Sequence, residues 1–521
     1  MNQLELLAPA RDRHIGIAAI DCGADAVYIA GPRFGARQAA GNEMEDIRQL
    51  CEYAHRFGAR IFVTLNTILY DDELEEAWQH MIAVQEAGAD ALIVQDMAIV
   101  AMARDRGYSL PLHASTQCAI RTPEQAVFLE SLGFSRLILE RELSLEQIKA
   151  IRAAVSCELE FFVHGALCVC YSGQCYLSEH IAGRSANRGA CIQACRSRYD
   201  LTDESGRILV RDKALLSLKD YNLRNRLEEL ADAGITSFKI EGRLKNSSYV
   251  RNVVRDYSLA IDEIISRRDY VRGSFGSVSG GFIPDTCKTF NRGYTELYLD
   301  GIKGKWASMD AAKSMGEEIG TVGSLNKDKS SITLRFTGKT TVLRNGDGFS
   351  FVASDGSVCG FRGDVCNGNS IRCKSTPELF IGARIFRNID TAFEKEMDRK
   401  PCTRELGVEV CMTFNEGGGM AQAVSEDGRE VCYRFETGEQ SADNQERMRS
   451  MICTQIGKSA EHFRFSVKDI ISEGPLPFMN ASSLNEIRRE LAGKLGCVPS
   501  QINSVITSRF TPERGYIIES R

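Results

Sequence analysis

The chain has 521 residues, 43% hydrophobic and 26% charged, and its 64 basic against 70 acidic side chains leave a formal net charge of −6. That length is too great for one core and predicts roughly two to four domains, while the acidic balance excludes a global field that would draw the chain onto nucleic acid, leaving that role to a local basic patch. No apolar run reaches the roughly 18–20 residues of a membrane span, and MNQLELLAPARD lacks the basic-then-apolar pattern of a secretory signal, so the eighteen cysteines are expected in the reducing cytoplasm as free thiols or metal ligands.

In chain order, the first 245 residues repeat one unit: a helical stretch ends at glycine and a short β-rich run follows. Gly23 leads into ADAVYIAG, Gly58 into ARIFVTLN, Gly88 into ADALIVQD, Gly107 into YSLPLHAST, Gly133 into FSRLILER and Gly234 into ITSFKIEGR. Glycine just past a helix supplies the left-handed turn that redirects the chain. The continuously apolar runs are those of parallel strands covered on both faces. With the opening LELLAPA and ELEFFVHG they predict eight strands, at 4–8, 26–30, 60–65, 91–95, 111–115, 136–140, 159–164 and 237–241. Amphipathic stretches such as MEDIRQLCEYAHRF and DDELEEAWQHMIAVQEA lie between them. Eight β–α alternations over about 250 residues match an α/β fold of the (β/α)8 TIM-like barrel type. A doubly wound sheet is the alternative, but no G-x-G-x-x-G follows the first strand.

Barrel chemistry sits at the C-terminal ends of the strands. There the sequence places Asn66, Gln95, Asp96, His113, Ser115 to Gln117, Arg141, Glu142, His164, Glu241 and Arg243. After the seventh strand, EFFVHGALCVCYSGQCYLSEHIAGRSANRGACIQACRSR holds five cysteines. Cys168, Cys175, Cys191 and Cys195 form C-x6-C-x15-C-x3-C in a polar, glycine-rich setting, where thiolates converge on a metal rather than pack as small hydrophobes. The spacing leaves zinc and an iron–sulfur cluster both open; scattered free thiols are the bland alternative. Cys170 is a weaker fifth candidate, because C-V-C at a strand end points its two side chains apart.

From Ala182 to Arg226 ten Lys or Arg stand against five acids. This is a solvated loop or a phosphate-contacting rim. Residues 266–400 alternate short β-rich runs with Gly-Asp and Asp-Gly turns, predicting a small β-barrel or sandwich, and 401–521 read as an α+β module. The three expected domains are therefore 1–265 (with the cysteine loop at 160–200), 266–400 and 401–521. There is no H-E-x-x-H or G-x-S-x-G, and no 2-His-1-carboxylate set stands out among seven histidines.

The run from Glu160 to Ser178, together with LELLAPARD, GADAVYIAGPRFGAR, FVTLNTILYDDEL, LHASTQC, GRSANRGACIQACR and SFKIEGRLKNSSYV, resembles the collagenase-like peptidase U family. Several members of that family are oxygen-independent RNA or quinone hydroxylases carrying a 4Fe–4S cluster. HASTQC with GRSANRGACIQACR is most similar to members that form 5-hydroxycytidine in large-subunit ribosomal RNA. The resemblance implies cluster ligation by Cys168, Cys175, Cys191 and Cys195, with zinc as the alternative, and prephenate as contributor of the hydroxyl group. It implies ribosomal RNA or its precursor as partner, no membrane, and names no electron donor. It also implies a further cysteine-bearing segment beyond the third module, for which this sequence has no counterpart. The expected catalytic residues are His113, Arg141, His164 and Glu241, with Arg184, Arg188, Arg196 and Arg198 binding a flipped or single-stranded cytidine. Collagenase-like peptidase activity and tRNA uridine hydroxylation are the alternatives.

Overall fold

The computed structural model describes residues 2–36, 41–302, 306–308, 314–338 and 341–496. The barrel begins with β1 (Asn2–Pro9), β2 (Ala26–Ala30), β3 (Arg60–Leu65), β4 (Ala91–Val94), β5 (Leu112–Ala114), β6 (Arg136–Ile138) and β7 (Glu158–Ala166). After β8 (Tyr199–Thr202), β9 (Ile208–Lys213) and β10 (Asp220–Asn222), the last barrel strand is β11 (Ser237–Ile240). Strands β1 to β7 pair in sequence order, and β11 closes the ring by running parallel to both β1 and β7, with Ser237 opposite Glu5 and Glu160. The (β/α)8 barrel expected from the sequence is present.

The apolar runs became strands because both faces are covered: β2 and β4 are buried at every position. Helices Met44–His55 and Leu74–Glu86 occupy the amphipathic stretches. Helix starts are fixed by short polar side chains. Thr122 and Ser144 form capping boxes with Gln125 and Gln147, and Asp96 accepts from the Ala98 amide ahead of Met97–Arg106. That helix ends at Gly107, φ 69°, where a Cβ would strain the left-handed cap.

The lower barrel interior is ionic. Arg136, 1% exposed, meets Glu5 at 2.6 Å, Glu158 at 2.5 Å and Glu160 at 3.0 Å. Ser237 donates to Glu5 at 2.7 Å, and Lys239 reaches Glu160 at 2.6 Å. Burial alone would push the Glu5 carboxyl up, but Arg136 and Arg60 outweigh it and hold it at about 2. Above this plug lies an apolar layer of Leu7, Ala26, Tyr28, Phe62, Ala91, Ile93, Ile138 and Phe162.

The chain divides into two compact units, the larger comprising Met1–Glu52, Arg60–Gly273 and Gly280–Cys402. Besides the barrel it contains a seven-stranded antiparallel sheet over Glu317–Ile389, packed around Ile319, Ile332, Phe349, Phe351 and Ile385, then helix Thr391–Arg399. The second unit is built on Thr403–Arg521 with Tyr53–Ala59 and Ser274–Ser279. Its sheet is flanked by helices Gln445–Ile456 and Ala481–Leu495, which bury Met448, Ile452, Ile487 and Leu491. No helix among the described residues is long and apolar enough to cross a membrane.

Candidate active site

At the C-terminal mouth of the barrel a cavity of about 110 Å³ lies under the cysteine loop. Its floor is Tyr28, Ile93, Ile138, Phe162 and Lys239, its wall Asn66, Ser115 to Gln117, Arg141, Glu241 and Arg243, and its lid Cys168, Tyr171 to Gly173, Cys175, Asn187 and Cys191. Lys239 connects the ionic plug to this floor, with its ammonium 4.4 Å from the Tyr28 ring centroid and 5.3 Å from that of Phe162. Burial lowers the Lys239 ammonium's affinity for its proton, and Glu160 opposes the shift. Arg141 stacks at 4.0 Å on Phe162 and stands 3.6 Å from Glu241. The Thr116 hydroxyl, the Gln117 side-chain carbonyl and Arg141 Nε are buried here without a hydrogen-bond partner among the described residues. Buried polar atoms of this kind need a ligand or water to offset their desolvation.

The cysteine loop is held down by backbone bonds. The Ser172 amide donates to Glu140 at 3.0 Å, and the Cys175 amide to the Asn187 side chain at 3.1 Å. Gly173 has φ 74°, and a Cβ there would lie 2.2 Å from the Gln117 carbonyl. Burial, then repulsion from Glu142, pushes the Glu140 carboxyl up to about 7 against the pull of Arg121. A second cavity, about 560 Å³, lies on the loop's other side and is lined by Cys168, Cys191 and Cys195. All four expected ligands thus border the two cavities, with Cys168 and Cys191 shared.

Among the described residues no three His, Cys, Asp or Glu side chains are gathered to hold a single metal ion. The donor set nonetheless fits a thiolate-ligated centre. The Cys195 thiol is raised by burial and by Cys168, Cys191 and Cys175 around it. A positive centre between them would favour the thiolate forms that this crowding disfavours. Cys170 is pushed to about 11 by burial and by Cys175 and Cys168, and its Sγ lies 3.3 Å from the Gln174 carbonyl.

Arg141 and Glu241 are therefore brought together at the mouth, but the two histidines are not. His113 packs edge-on against Phe62 with ring centroids 4.8 Å apart, and burial, followed by the charge of Arg136, holds it neutral. His164 faces outward, its Nδ1 3.3 Å from the Tyr257 hydroxyl and its ring among Tyr249, Tyr257 and Tyr294; burial lowers it to about 3. Arg184 and Arg196 line the larger cavity. Arg188 is paired with Glu73 at 2.6 Å over the Tyr70 ring, and Arg198 with Asp212 at 2.7 Å. Asp96, read as a rim residue, caps its helix and accepts from the Leu69 amide at 2.8 Å. Lys239, Lys245 and Arg292 escaped the sequence reading. The alternation K-x-E-x-R over 239–243 was the available signal for Lys239, which shares the smaller cavity with Glu241 and Arg243; Lys245 and Arg292 lie in the larger one and carried no such pattern.

A parallel barrel carrying a four-cysteine loop over an ion-lined mouth defines a class of site: a small-molecule cavity roofed by thiols. The chain belongs to peptidase family U32, whose family model matches residues 12–308. A model of the CtsR N-terminal HTH domain also matches residues 469–521, of which 497–521 lie outside the described residues. The chain is 41% identical over 508 residues to the 23S rRNA 5-hydroxycytidine C2501 synthase of Escherichia coli, covering 95% of this chain and 76% of that protein. It is 31% identical over 358 residues to tRNA hydroxylation protein P1 of Bacillus subtilis (67% of this chain, 83% of that one). It is also 33% identical over 323 residues to a collagenase of Porphyromonas gingivalis (59% and 76%).

Proposed function

We propose that this chain is an RNA hydroxylase that converts a cytidine of large-subunit ribosomal RNA to 5-hydroxycytidine without dioxygen. The observation that carries the reading is the 41% identity to a 23S rRNA 5-hydroxycytidine synthase, which runs through 95% of the chain. Cys168, Cys175, Cys191 and Cys195 would hold a 4Fe–4S cluster, which when bound supplies one-electron chemistry at the barrel mouth.

The chain's own residues do the binding. Arg141 and Arg243 face one carboxylate, Glu241, in the smaller cavity, while Lys239 in its floor is matched by Glu160 at 2.6 Å. That excess of cations suits a compact organic anion, and prephenate, a dicarboxylate, is the proposed contributor of the hydroxyl group. Tyr28 and Phe162 give it flat apolar faces. Arg141 orients Glu241 from 3.6 Å, leaving a carboxylate at the boundary to take up a proton.

Mass spectrometry of ribosomal RNA from a strain lacking the gene, with and without the restored gene, tests the reading. Loss and recovery of hydroxycytidine are expected, together with iron and sulfide in anaerobically purified protein. Unchanged ribosomal RNA with altered tRNA would move the substrate to tRNA, and peptide cleavage by iron-free protein would return the chain to the peptidases.

A further inference from the structure

The two cavities share one wall, made of Arg141, Glu241, Cys168 and Cys191, and differ in everything else. The smaller has about 110 Å³; the larger, about 560 Å³, has the size of sites that enclose whole ligands, roughly 300–1,000 Å³. The larger one is also the more cationic, lined by Arg184, Arg196, Lys245 and Arg292 as well as by the shared pair.

Of these four cations only Arg292 is matched by a carboxylate among the described residues. Arg196 donates to the Ser217 hydroxyl at 2.8 Å, to the Leu167 carbonyl at 2.7 Å and to the Leu218 carbonyl, so its position is fixed while no carboxylate among the described residues is within ion-pair reach of it. Arg292 meets Asp220 at 3.0 Å. Lys245 has its ammonium 2.9 Å from the Phe290 ring centroid, and Arg184 is exposed at the cavity edge without an ion-pair partner among the described residues. Arg184, Arg196 and Lys245, without an ion-pair partner among the described residues, attract an anion with several acceptor oxygens, and a phosphodiester supplies them.

We infer that the larger cavity is the subsite of the target nucleotide, with Arg184 and Lys245 contacting its phosphates in the fixed field of Arg196 and Arg292, and with the Arg141–Glu241 pair as the partition between nucleotide and small anion. This rests on the reading of the chain as an RNA hydroxylase. It assigns the two reactants to separate chambers that meet at one ion pair and at the two cysteines, Cys168 and Cys191, that would also ligate the cluster.

The test uses anaerobically purified full-length protein and fluorescence anisotropy with a labelled short single-stranded oligoribonucleotide. Arg184→Gln and Lys245→Gln should each weaken binding about fivefold to tenfold and flatten the log–log salt slope by about 0.7. Lys149→Gln, on an outer helix, should leave both unchanged. Cytidine 5′-monophosphate should displace the probe at lower concentration than cytidine. Wild-type affinity and slope in both variants, with hydroxycytidine still made in cells, would overturn the inference and leave the hydroxylase reading standing. A wild-type protein that binds no RNA, in a strain whose ribosomal RNA does not depend on the gene, would overturn both.

Discussion

Replacing Gly173 with alanine should unseat the cysteine loop while leaving the barrel folded. The backbone there has φ 74°, which costs an L-residue about 1–2 kcal/mol. The added methyl would sit 2.2 Å from the Gln117 carbonyl oxygen and 3.3 Å from Gln95 Nε2, so the loop must retreat by about 1 Å to reach ordinary contact. Retreat breaks the bond from the Ser172 amide to Glu140, worth about 1 kcal/mol more. The total is about 2–3 kcal/mol, or roughly a 30- to 150-fold shift toward the open loop. Gly183 is the internal control: it too has positive φ, 61°, but nothing lies within 4 Å of its Cβ position. Gly183→Ala should therefore carry the backbone cost alone, roughly a fivefold to thirtyfold shift. Hydrogen exchange at the Cys175 amide, bonded to Asn187 at 3.1 Å, reads the difference. Equal loss of protection in the two variants, or none in either, would refute the steric argument.

Three further outcomes are expected. Glu140 keeps its proton to about pH 7 in the folded protein against 4.5 for an unperturbed glutamate, so the native state binds more protons in that window and stability falls as pH rises through it. Glu140→Gln should gain on the wild type by up to about 3 kcal/mol at pH 8 and little below pH 4.5, read from urea unfolding; parallel profiles would contradict it. Arg136→Met leaves Glu5 with Arg60 and Glu160 with Lys239 as their remaining cations, two carboxylates under-compensated inside the barrel, and should cost about 3 kcal/mol at pH 7; a loss below about 1 kcal/mol would show that the plug rearranges. Cys170→Ser should retain iron and Cys168→Ser should lose it, measured per chain after anaerobic purification, and equal losses would make Cys170 a ligand.

The barrel was legible because its strands are buried on both sides, which turns them into unbroken apolar runs, and because helix-ending glycines punctuate them. The cysteine loop was legible because thiols in polar surroundings lack a packing reason. The ionic plug was not. Glu5, Arg136, Glu160 and Lys239 each interrupt an apolar strand singly, and only closure of the ring brings β1, β6, β7 and β11 side by side. The placement of the histidines was not legible for a related reason: a strand-end position sets height along the barrel, but not whether the side chain reaches the mouth. His113 sits edge-on against Phe62 below it, and His164 points outward toward Tyr257.

Closure by β11 also orders events in a growing chain. Ser237 must reach Glu5, 232 positions earlier, before the ring exists. Everything between β7 and β11, the cysteine loop included, has by then left the ribosome. The roof is therefore synthesised before the walls can shut, and its thiols stay reachable from both sides until the final staves lock.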